Sequence, residues 1–167
     1  ASSGIGAATA PTFSRAGHPL LLLARRIDRM EALGLPTKIC QPVDVSNRKA
    51  VADAVAEGEK KYGPTDCLFN NAGIARLADV TRQDPSEWDE TIDININGFM
   101  NGIHAVMSGM IARKRGTIVN QTSTTNRYVN FLAVAPCTAL TWLTQPTNYT
   151  YAFIGRTSGA TASPTPP

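Results

Sequence analysis

Small, polar and charged residues cluster at five points of the 167-residue chain, and each cluster suits contact with a charged or ring-shaped ligand. In Ser3-Gly4-Ile5-Gly6, the glycines allow close backbone approach, and the N–H groups at a helix start attract a phosphate. In Arg25-Arg26, the guanidinium groups pair with phosphate better than with hydroxyl groups. These two clusters predict an anion-binding site; the alternatives are a plain turn into a helix and a solvated helix start.

The other three clusters offer carboxylate and amide groups. Asp44, followed by Val45, would accept a hydrogen bond from an adenine amino group or, alternatively, cap the turn before Ser46. Asn70-Asn71-Ala72-Gly73 combines a tight backbone, suited to lying beside a ring, with amide side chains that tie neighbouring strands together. Asn95 is a poor helix former inside a helical pattern, so it either makes a specific contact or belongs to ordinary polar surface.

The elements that must position these clusters alternate between strand and helix. Short apolar runs predict strands at residues 19–24, 38–43, 67–69 and 116–119. Helical composition predicts helices at residues 7–16, 25–33, 46–62 (with Ser46 as the cap) and 85–112. Such alternation requires parallel strands and right-handed crossovers, so we expect a doubly wound α/β fold with its ligand at the carboxyl ends of the strands.

The helix predicted at residues 85–112 is the longest. Asp84 is its expected N-cap, Pro85 takes the first helical position and Glu87 the third, which is a capping-box arrangement. Apolar residues then follow in steps of three and four, at Trp88, Ile92, Ile96, Phe99, Ile103, Val106 and Met110. This stripe would face a core or a partner for about six turns.

Taken in order, these clusters resemble the short-chain dehydrogenases/reductases. The resemblance covers about residues 1–123 and rests on motifs that agree in order and spacing: Ala1-Ser2-Ser3-Gly4-Ile5-Gly6, Ala24-Arg25-Arg26, Asp44-Val45, Asn70-Asn71-Ala72-Gly73, Asn95-Ile96-Asn97-Gly98 and Gly116-Thr117-Ile118-Val119-Asn120. That family folds as a single Rossmann-type domain that binds NAD(P), so the resemblance implies this fold and a nicotinamide cofactor. The arginine pair makes NADP the expected cofactor.

The resemblance also implies a role for each matching residue. Residues of the first two motifs are expected to contact phosphate groups: Ser3, Gly4, Ile5 and Gly6 would lie at the cofactor phosphates and ribose, and Arg25, assisted by Arg26, at the 2′-phosphate. The adenosine half would be contacted by Asp44 and Val45 around adenine and by Asn71, Ala72 and Gly73 beside the adenine ribose. Asn95 matches the asparagine that holds a proton-relay water, and Ser123 matches the serine that hydrogen-bonds the substrate carbonyl. No metal site is expected.

The chain departs from the family at its catalytic pair and at both ends. Family chemistry needs a Tyr-x-x-x-Lys pair, whose tyrosine moves the substrate proton and whose lysine lowers the tyrosine pKa. Pro136 and Leu140 stand at the two expected positions, so we expect the pair to be absent. The Thr-Gly before the glycine-rich turn and the first strand are also lacking. The fold is therefore expected to be truncated, without its first strand and its C-terminal half.

Charge divides the chain into two parts. Lys and Arg total 16 and Asp and Glu total 13, yet Arg156 is the only one of these residues after residue 127. We therefore expect a partial dinucleotide-binding domain at residues 1–127. Residues 128–167 are expected to be an aberrant, low-charge, Thr/Pro-rich tail that is partly disordered.

Composition argues against several classes of protein. With a net charge of +3 and no basic cluster longer than three residues, we expect no nucleic-acid partner, and no apolar run is long enough for a membrane span. Three cysteines without C-x-x-C spacing predict neither a zinc site nor a disulfide framework, and they favour a reducing, cytoplasmic compartment.

Three functions fit the sequence. The first is a fragment of an oxidoreductase that moves a hydride between NADP(H) and a small carbonyl compound or secondary alcohol. The family resemblance implies that the parent enzyme forms a homo-oligomer through the helix at residues 85–112. The second is a non-catalytic NADP(H)-binding module, a pseudoenzyme acting through the same helix. The third is a Rossmann-like methyltransferase, against which Arg25-Arg26 and the Asn-Asn-Ala-Gly run both argue.

Overall fold

Strands and helices alternate along the chain in the order that the sequence predicts. The computed structural model describes residues 1–75, 80–121 and 141–142. Its strands are β1 (Leu20–Ala24), β2 (Lys38–Pro42), β3 (Cys67–Asn70), β4 (Thr117–Asn120) and β5 (Thr141–Trp142). Its helices are α1 (Gly4–Arg15), α2 (Ile27–Glu31), α3 (Arg48–Tyr62), α4 (Pro85–Ile92) and α5 (Gly98–Arg113), with a 3-10 turn at Val80–Arg82 and a π-helical turn at Asp93–Asn97.

The strands form two parallel pairs. β1 lies beside β2, with Leu20 opposite Lys38, and β3 lies beside β4, with Cys67 opposite Thr117. Parallel neighbours need a crossover connection, and here helices supply it. Among the described residues the two pairs lie in separate hydrogen-bonded sheets, and their parallel strands with helical crossovers confirm the predicted Rossmann-type α/β class.

β5 adds a strand that the sequence does not predict. It runs antiparallel to β4, with Thr117 opposite Trp142. Thr and Trp both favour strands, but two residues are too few to form an alternating pattern. The rest of residues 128–167, including the segment expected to be disordered, lies outside the described residues, as do Ser123, Pro136 and Leu140.

The first turn of α3 is capped by Asn47 rather than by the predicted Ser46. The Asn47 side chain accepts a hydrogen bond from the Ala50 N–H at 3.0 Å. Ser46 instead donates from its N–H and its hydroxyl to the Asp44 carboxylate. The prediction is wrong by one residue because Ser and Asn are comparable caps, and only the turn geometry chooses between them.

The helix predicted at residues 85–112 is interrupted. Asp84 caps α4 as predicted, but the π-helical turn separates α4 from α5. The predicted apolar stripe is therefore split, because Phe99 and Met110 are buried whereas Ile92 is 45% exposed. An unbroken period of three and four cannot reveal one wide turn.

The core lies between the helices and the strands. One cluster joins α1, β1 and α2 through Ala10, Leu22 and Met30. A second joins α3, α5 and β4 through Val55, Val106, Met110 and Ile118. Burial of this apolar surface holds the helices against the sheet and so fixes the loops at the strand ends. Within the described ranges, no helix has both the length and the apolar character needed to cross a membrane.

Candidate functional site

The start of α1 is open to a ligand. Ser3 is its N-cap residue but makes no side-chain capping bond, and the first helical bond runs from the Ala7 N–H to the Ser3 carbonyl at 3.3 Å. The N–H groups of Gly4 to Gly6 precede that bond, so they are the donors that a helix leaves unpaired at its start. A side chain at Gly4, where φ is +56°, would meet no described atom within 4 Å. The turn can therefore receive anionic oxygens.

Arg26 joins this turn to the end of β1. Its Nη2 atom donates a hydrogen bond to the Ser3 hydroxyl at 3.3 Å, and both Arg25 and Arg26 are exposed. Nearby, the Ala1 ammonium group donates to the Leu23 carbonyl at 3.1 Å; burial, and then the charge of Arg26, lower the pKa of that ammonium. The structure thus brings the predicted phosphate turn and the predicted arginine pair to the carboxyl end of one strand.

Asp44 lies at the neighbouring end of β2, in a tight turn. Its Oδ1 atom accepts hydrogen bonds from the Ser46 N–H at 3.0 Å and from the Ser46 hydroxyl at 2.7 Å. These two bonds do most to lower the pKa of Asp44, and the positive charge of Arg25 lowers it further. Oδ1 therefore stabilises the turn before Ser46, which is one of the two alternatives drawn from the sequence, and the lowered pKa keeps the carboxylate ionised within the field of Arg25.

The start of α1 and the end of β3 are in direct contact. A Cβ at Gly6 would lie 2.7 Å from the Asn71 Nδ2 atom and 3.1 Å from the Ala1 Cα atom, so a side chain there would displace its neighbours. Further along the same loop, a Cβ at Gly73 would lie 3.3 Å from the Asn95 Oδ1 atom. The loop after β3 therefore passes from the predicted phosphate turn to Asn95.

Asn95 lies in the π-helical turn and holds the end of that loop. Its Oδ1 atom accepts a hydrogen bond from the Ile74 N–H at 2.8 Å, and its Nδ2 atom donates to the Ile74 carbonyl at 2.9 Å. These bonds exclude the interpretation of Asn95 as ordinary polar surface. The side-chain oxygen and nitrogen of Asn95 both form hydrogen bonds with Ile74. A proton-relay water would therefore be bound by atoms of Asn95 other than this side-chain amide.

Asn70 ties two strands and a helix together. Its Nδ2 atom donates to the Asn120 Oδ1 atom on β4 at 2.8 Å and to the Phe99 carbonyl on α5 at 3.3 Å. Only 8% of Asn70 is exposed, so these bonds are shielded from water. The predicted role of an amide in joining neighbouring strands is confirmed at this residue.

Sequence reasoning misses two residues that support the Asp44 turn. Asn101 on α5 donates from Nδ2 to the Val45 carbonyl at 2.9 Å and to the Ser46 carbonyl at 3.1 Å. Arg48 donates from Nε to the Asn101 Oδ1 atom at 3.0 Å. The available signal was a further asparagine inside the long helix, where this residue type again needs a specific partner.

The residues predicted to bind a cofactor come together at the carboxyl ends of β1, β2 and β3. They are Ser3, Gly4, Ile5, Gly6, Arg25, Arg26, Asp44, Val45, Asn71, Ala72 and Gly73, with Asn95 at the far end of the β3 loop. Their groups can bind anions and a hydrogen-bonding ring. In the described ranges, no three His, Cys, Asp or Glu side chains gather as metal ligands would.

The chain matches the family model described as short chain dehydrogenase over residues 1–139. This match spans most of the chain and includes every described residue of the candidate site. It decides against the methyltransferase interpretation.

Individual relatives agree with the family match. The chain is 38% identical over 129 residues to an uncharacterized oxidoreductase of Listeria monocytogenes, covering 74% of this chain and 52% of the relative. It is 36% identical over 136 residues to the 3-oxoacyl-acyl-carrier-protein reductase FabG of Thermotoga maritima, covering 78% and 55%. The chain thus spans about half the length of the curated relatives it matches.

A solved structure agrees as well. The closed form of serine dehydrogenase complexed with NADP+ superposes with a TM-score of 0.71 at 29% identity, covering 77% of this chain and 53% of that one. Motifs, parallel α/β fold and family match all agree, and the chain belongs to the short-chain dehydrogenase family.

Proposed function

We propose that this chain is the NADP(H)-binding part of an oxidoreductase that moves a hydride between the nicotinamide ring and a small carbonyl compound or secondary alcohol. The observation that carries the proposal is the hydrogen bond from Arg26 to Ser3, at 3.3 Å. It joins the arginine pair to the open start of α1. One site can therefore attract both the pyrophosphate and the 2′-phosphate of NADP.

The residues present suit that cofactor. The N–H groups of Gly4, Ile5 and Gly6 would bind the pyrophosphate, because they point out of an otherwise unpaired helix start. The exposed guanidinium groups of Arg25 and Arg26 would pair with the 2′-phosphate, which NAD lacks. The open side of Gly4 leaves room for the ligand.

The remaining predicted contacts concern the adenosine half. Asp44 and Val45 would lie around adenine, and Asn71, Ala72 and Gly73 would lie beside the adenine ribose. Asp44 is ionised, and its Oδ1 atom accepts hydrogen bonds from Ser46. Its second carboxylate oxygen would accept a hydrogen bond from the adenine amino group.

Two of the similar proteins support this choice of cofactor and substrate class. The serine dehydrogenase structure is a complex with NADP+, and its fold matches this chain closely. The Thermotoga maritima relative is a reductase of a 3-oxoacyl group, which is a carbonyl compound. We extend both properties to this chain as part of the proposal.

Bound NADP(H) supplies the hydride donor or acceptor, and the protein holds the cofactor and the substrate and manages the proton. We assign Asn95 to a proton-relay water and Ser123 to the substrate carbonyl. Pro136 and Leu140 stand where the tyrosine and the lysine of the family motif are expected, and neither can carry a proton. We therefore expect cofactor binding without substrate turnover in this chain.

The second candidate function is a non-catalytic NADP(H)-binding module that acts through α5. Met100, Met107 and Ile111 are 55%, 38% and 57% exposed and recur at helical spacing. An exposed apolar stripe of this kind suits another protein surface, and we propose a second copy of this chain.

The domain boundary and the compartment also belong to the proposal. Residues 1–127 would form the cofactor-binding unit and residues 128–167 a tail of different composition. Cys40 and Cys67 are free thiols, which suits a reducing cytoplasm. The modest net charge of +3 favours a small-molecule partner over nucleic acid or a membrane.

Calorimetric titration of the 167-residue chain with NADPH and NADH tests the proposal, together with an assay of NADPH oxidation by carbonyl compounds. We expect NADPH to bind at least tenfold more tightly than NADH, without turnover. Turnover would contradict the assignment of Pro136 and Leu140. Binding of neither cofactor would contradict the cofactor site itself.

A further inference from the structure

Asn101 occupies a junction of three elements. It lies on α5, only 2% of it is exposed, and its amide is surrounded by partners. Oδ1 accepts from Arg48 at the start of α3, and Nδ2 donates to the carbonyls of Val45 and Ser46 in the loop after β2. Both amide hydrogens and one oxygen lone pair are therefore used.

The same loop packs against α5 one turn earlier. A Cβ at Gly98 would lie 2.7 Å from the Val45 Cγ2 atom, so glycine at this position lets Val45 contact the helix. Val45 is thus fixed at two points, its carbonyl by Asn101 and its side chain by the backbone of α5.

We propose that Asn101 is a positioning residue for adenine recognition, acting through Val45 and Ser46 on Asp44. This inference rests on the proposed function for its ligand, but the contacts that carry it are independent of any cofactor. Asn101 itself would not touch the adenine ring.

A chain of hydrogen bonds leads from Asn101 on α5 to the Asp44 carboxylate. Nδ2 orients the Val45–Ser46 peptide and the Ser46–Asn47 peptide, because both of their carbonyls must point at Asn101. Ser46, held in this way, directs its N–H and hydroxyl to the Asp44 Oδ1 atom. The direction of the Asp44 carboxylate is therefore set from α5.

Removing the amide would leave two carbonyls and the Arg48 guanidinium without this partner. The loop would turn these groups toward water, since an unsatisfied buried polar group is costly. Asp44 and Val45 would then lose their shared orientation, while the start of α1 and the arginine pair stay in place.

The experiment compares Asn101→Leu with the control Asn97→Leu in the 167-residue chain. Asn97 is exposed in the π-helical turn, and among the described residues its side chain forms a hydrogen bond only with the Asp93 carboxylate. The probes are 2′,5′-ADP, which contains adenine, and inorganic pyrophosphate, which lacks it. We expect Asn101→Leu to weaken 2′,5′-ADP binding about tenfold and to leave pyrophosphate binding within about twofold.

A second measurement does not depend on any ligand. The Asp44 carboxyl is titrated by NMR in both variants, with Arg25 as the charged group that also faces it. We expect its pKa to rise in Asn101→Leu, because Ser46 no longer holds its donors on Oδ1, and to stay unchanged in Asn97→Leu. If Asn101→Leu does not fold, Asn101→Ser keeps one donor and should give a smaller shift in the same direction.

The outcomes separate the two proposals. Unchanged 2′,5′-ADP affinity in a folded Asn101 variant would overturn the positioning role, as would equal losses for both probes. If the unmodified chain binds neither probe, the proposed function fails, and the Asp44 titration then decides the positioning role: an unchanged pKa overturns it.

Discussion

Asn95 and Ile74 are joined by a reciprocal pair of hydrogen bonds, from the Ile74 N–H at 2.8 Å and to the Ile74 carbonyl at 2.9 Å. The pair fastens the loop after β3 to the π-helical turn between α4 and α5. Such turns are rare and occur frequently at functional sites. The two bonds help to offset the cost of the wide turn and hold Gly73 beside the helix.

Asn95→Ala is expected to lower the free energy of unfolding by about 1–3 kcal/mol, because it leaves the N–H and the carbonyl of Ile74 without their partner. Urea unfolding measures the change. The matched control is Asn97→Ala, in which an exposed asparagine of the same turn loses its hydrogen bond to Asp93. This change should lower the free energy of unfolding by less than about 0.5 kcal/mol. Equal losses in the two variants would contradict the role given to the Asn95–Ile74 pair.

Gly6→Ala and Gly109→Ala should have opposite effects. The new methyl group at Gly6 would lie 2.7 Å from the Asn71 Nδ2 atom and close to the Ala1 backbone, so it would displace the start of α1. At Gly109 it would meet only the guanidinium end of Arg113, at 3.0 Å, and a shift of a few tenths of an ångström there keeps the 2.7 Å bond from Arg113 to the Thr65 carbonyl within hydrogen-bond distance. Since alanine favours a helix, Gly109→Ala should stabilise the chain by about 0.5–1 kcal/mol.

Thermal unfolding and NADPH titration of both glycine variants check this expectation. Gly6→Ala should lower both the melting temperature and the affinity for NADPH. A Gly6→Ala chain as stable as Gly109→Ala, with full affinity, would refute the tight contact between α1 and the β3 loop.

Asp44 makes stability depend on pH in the acid range. Its folded-state pKa is lowered by the hydrogen bonds from Ser46 and by Arg25, so ionised Asp44 favours the folded state. This contribution is fully present above the ordinary carboxyl pKa and is lost as the pH falls through the lowered folded value. Melting temperatures recorded from about pH 5 down to about pH 2 should therefore fall more steeply on acidification for the unmodified chain than for Asp44→Asn. Parallel curves would show that Asp44 contributes nothing.

The exposed stripe on α5 predicts self-association. Met107→Glu places a charge between Met100 and Ile111, where contact with a second copy would exclude water, so it should weaken association about tenfold or more. Ala56→Glu adds the same charge to an exposed position of α3 and should have little effect. Sedimentation velocity over a range of concentrations distinguishes them. Equal association constants for the two variants would contradict the proposed interface.

The sequence predicts the element order because apolar runs and helical compositions alternate clearly along the first 120 residues. It does not predict the π-helical turn, since the apolar residues before and after Asn95 keep the spacing of an ordinary helix. It also does not predict β5, where Thr141 and Trp142 make too short a strand to carry a pattern. Both misses concern features that tertiary contacts decide.

The candidate site is predicted best where a residue type is unusual for its element. The glycines at the start of α1, the arginines after β1 and the asparagines at the end of β3 all stand out in this way. Asn101 is equally unusual inside a helix, but its partners are the carbonyls of Val45 and Ser46, far away in sequence. Any backbone offers such acceptors, so the sequence could not identify them.

The central claim is that Arg25 and Arg26, which follow β1, bind the 2′-phosphate of NADP(H). Its most direct test is calorimetry of NADPH and NADH binding to the 167-residue chain, with and without the double substitution Arg25→Ala and Arg26→Ala. Charge-assisted hydrogen bonds contribute about 1.5–3 kcal/mol each, so the substitution should weaken NADPH binding at least tenfold and leave NADH binding unchanged. An unmodified chain that binds both cofactors equally, or a double variant that keeps its preference for NADPH, would contradict the claim.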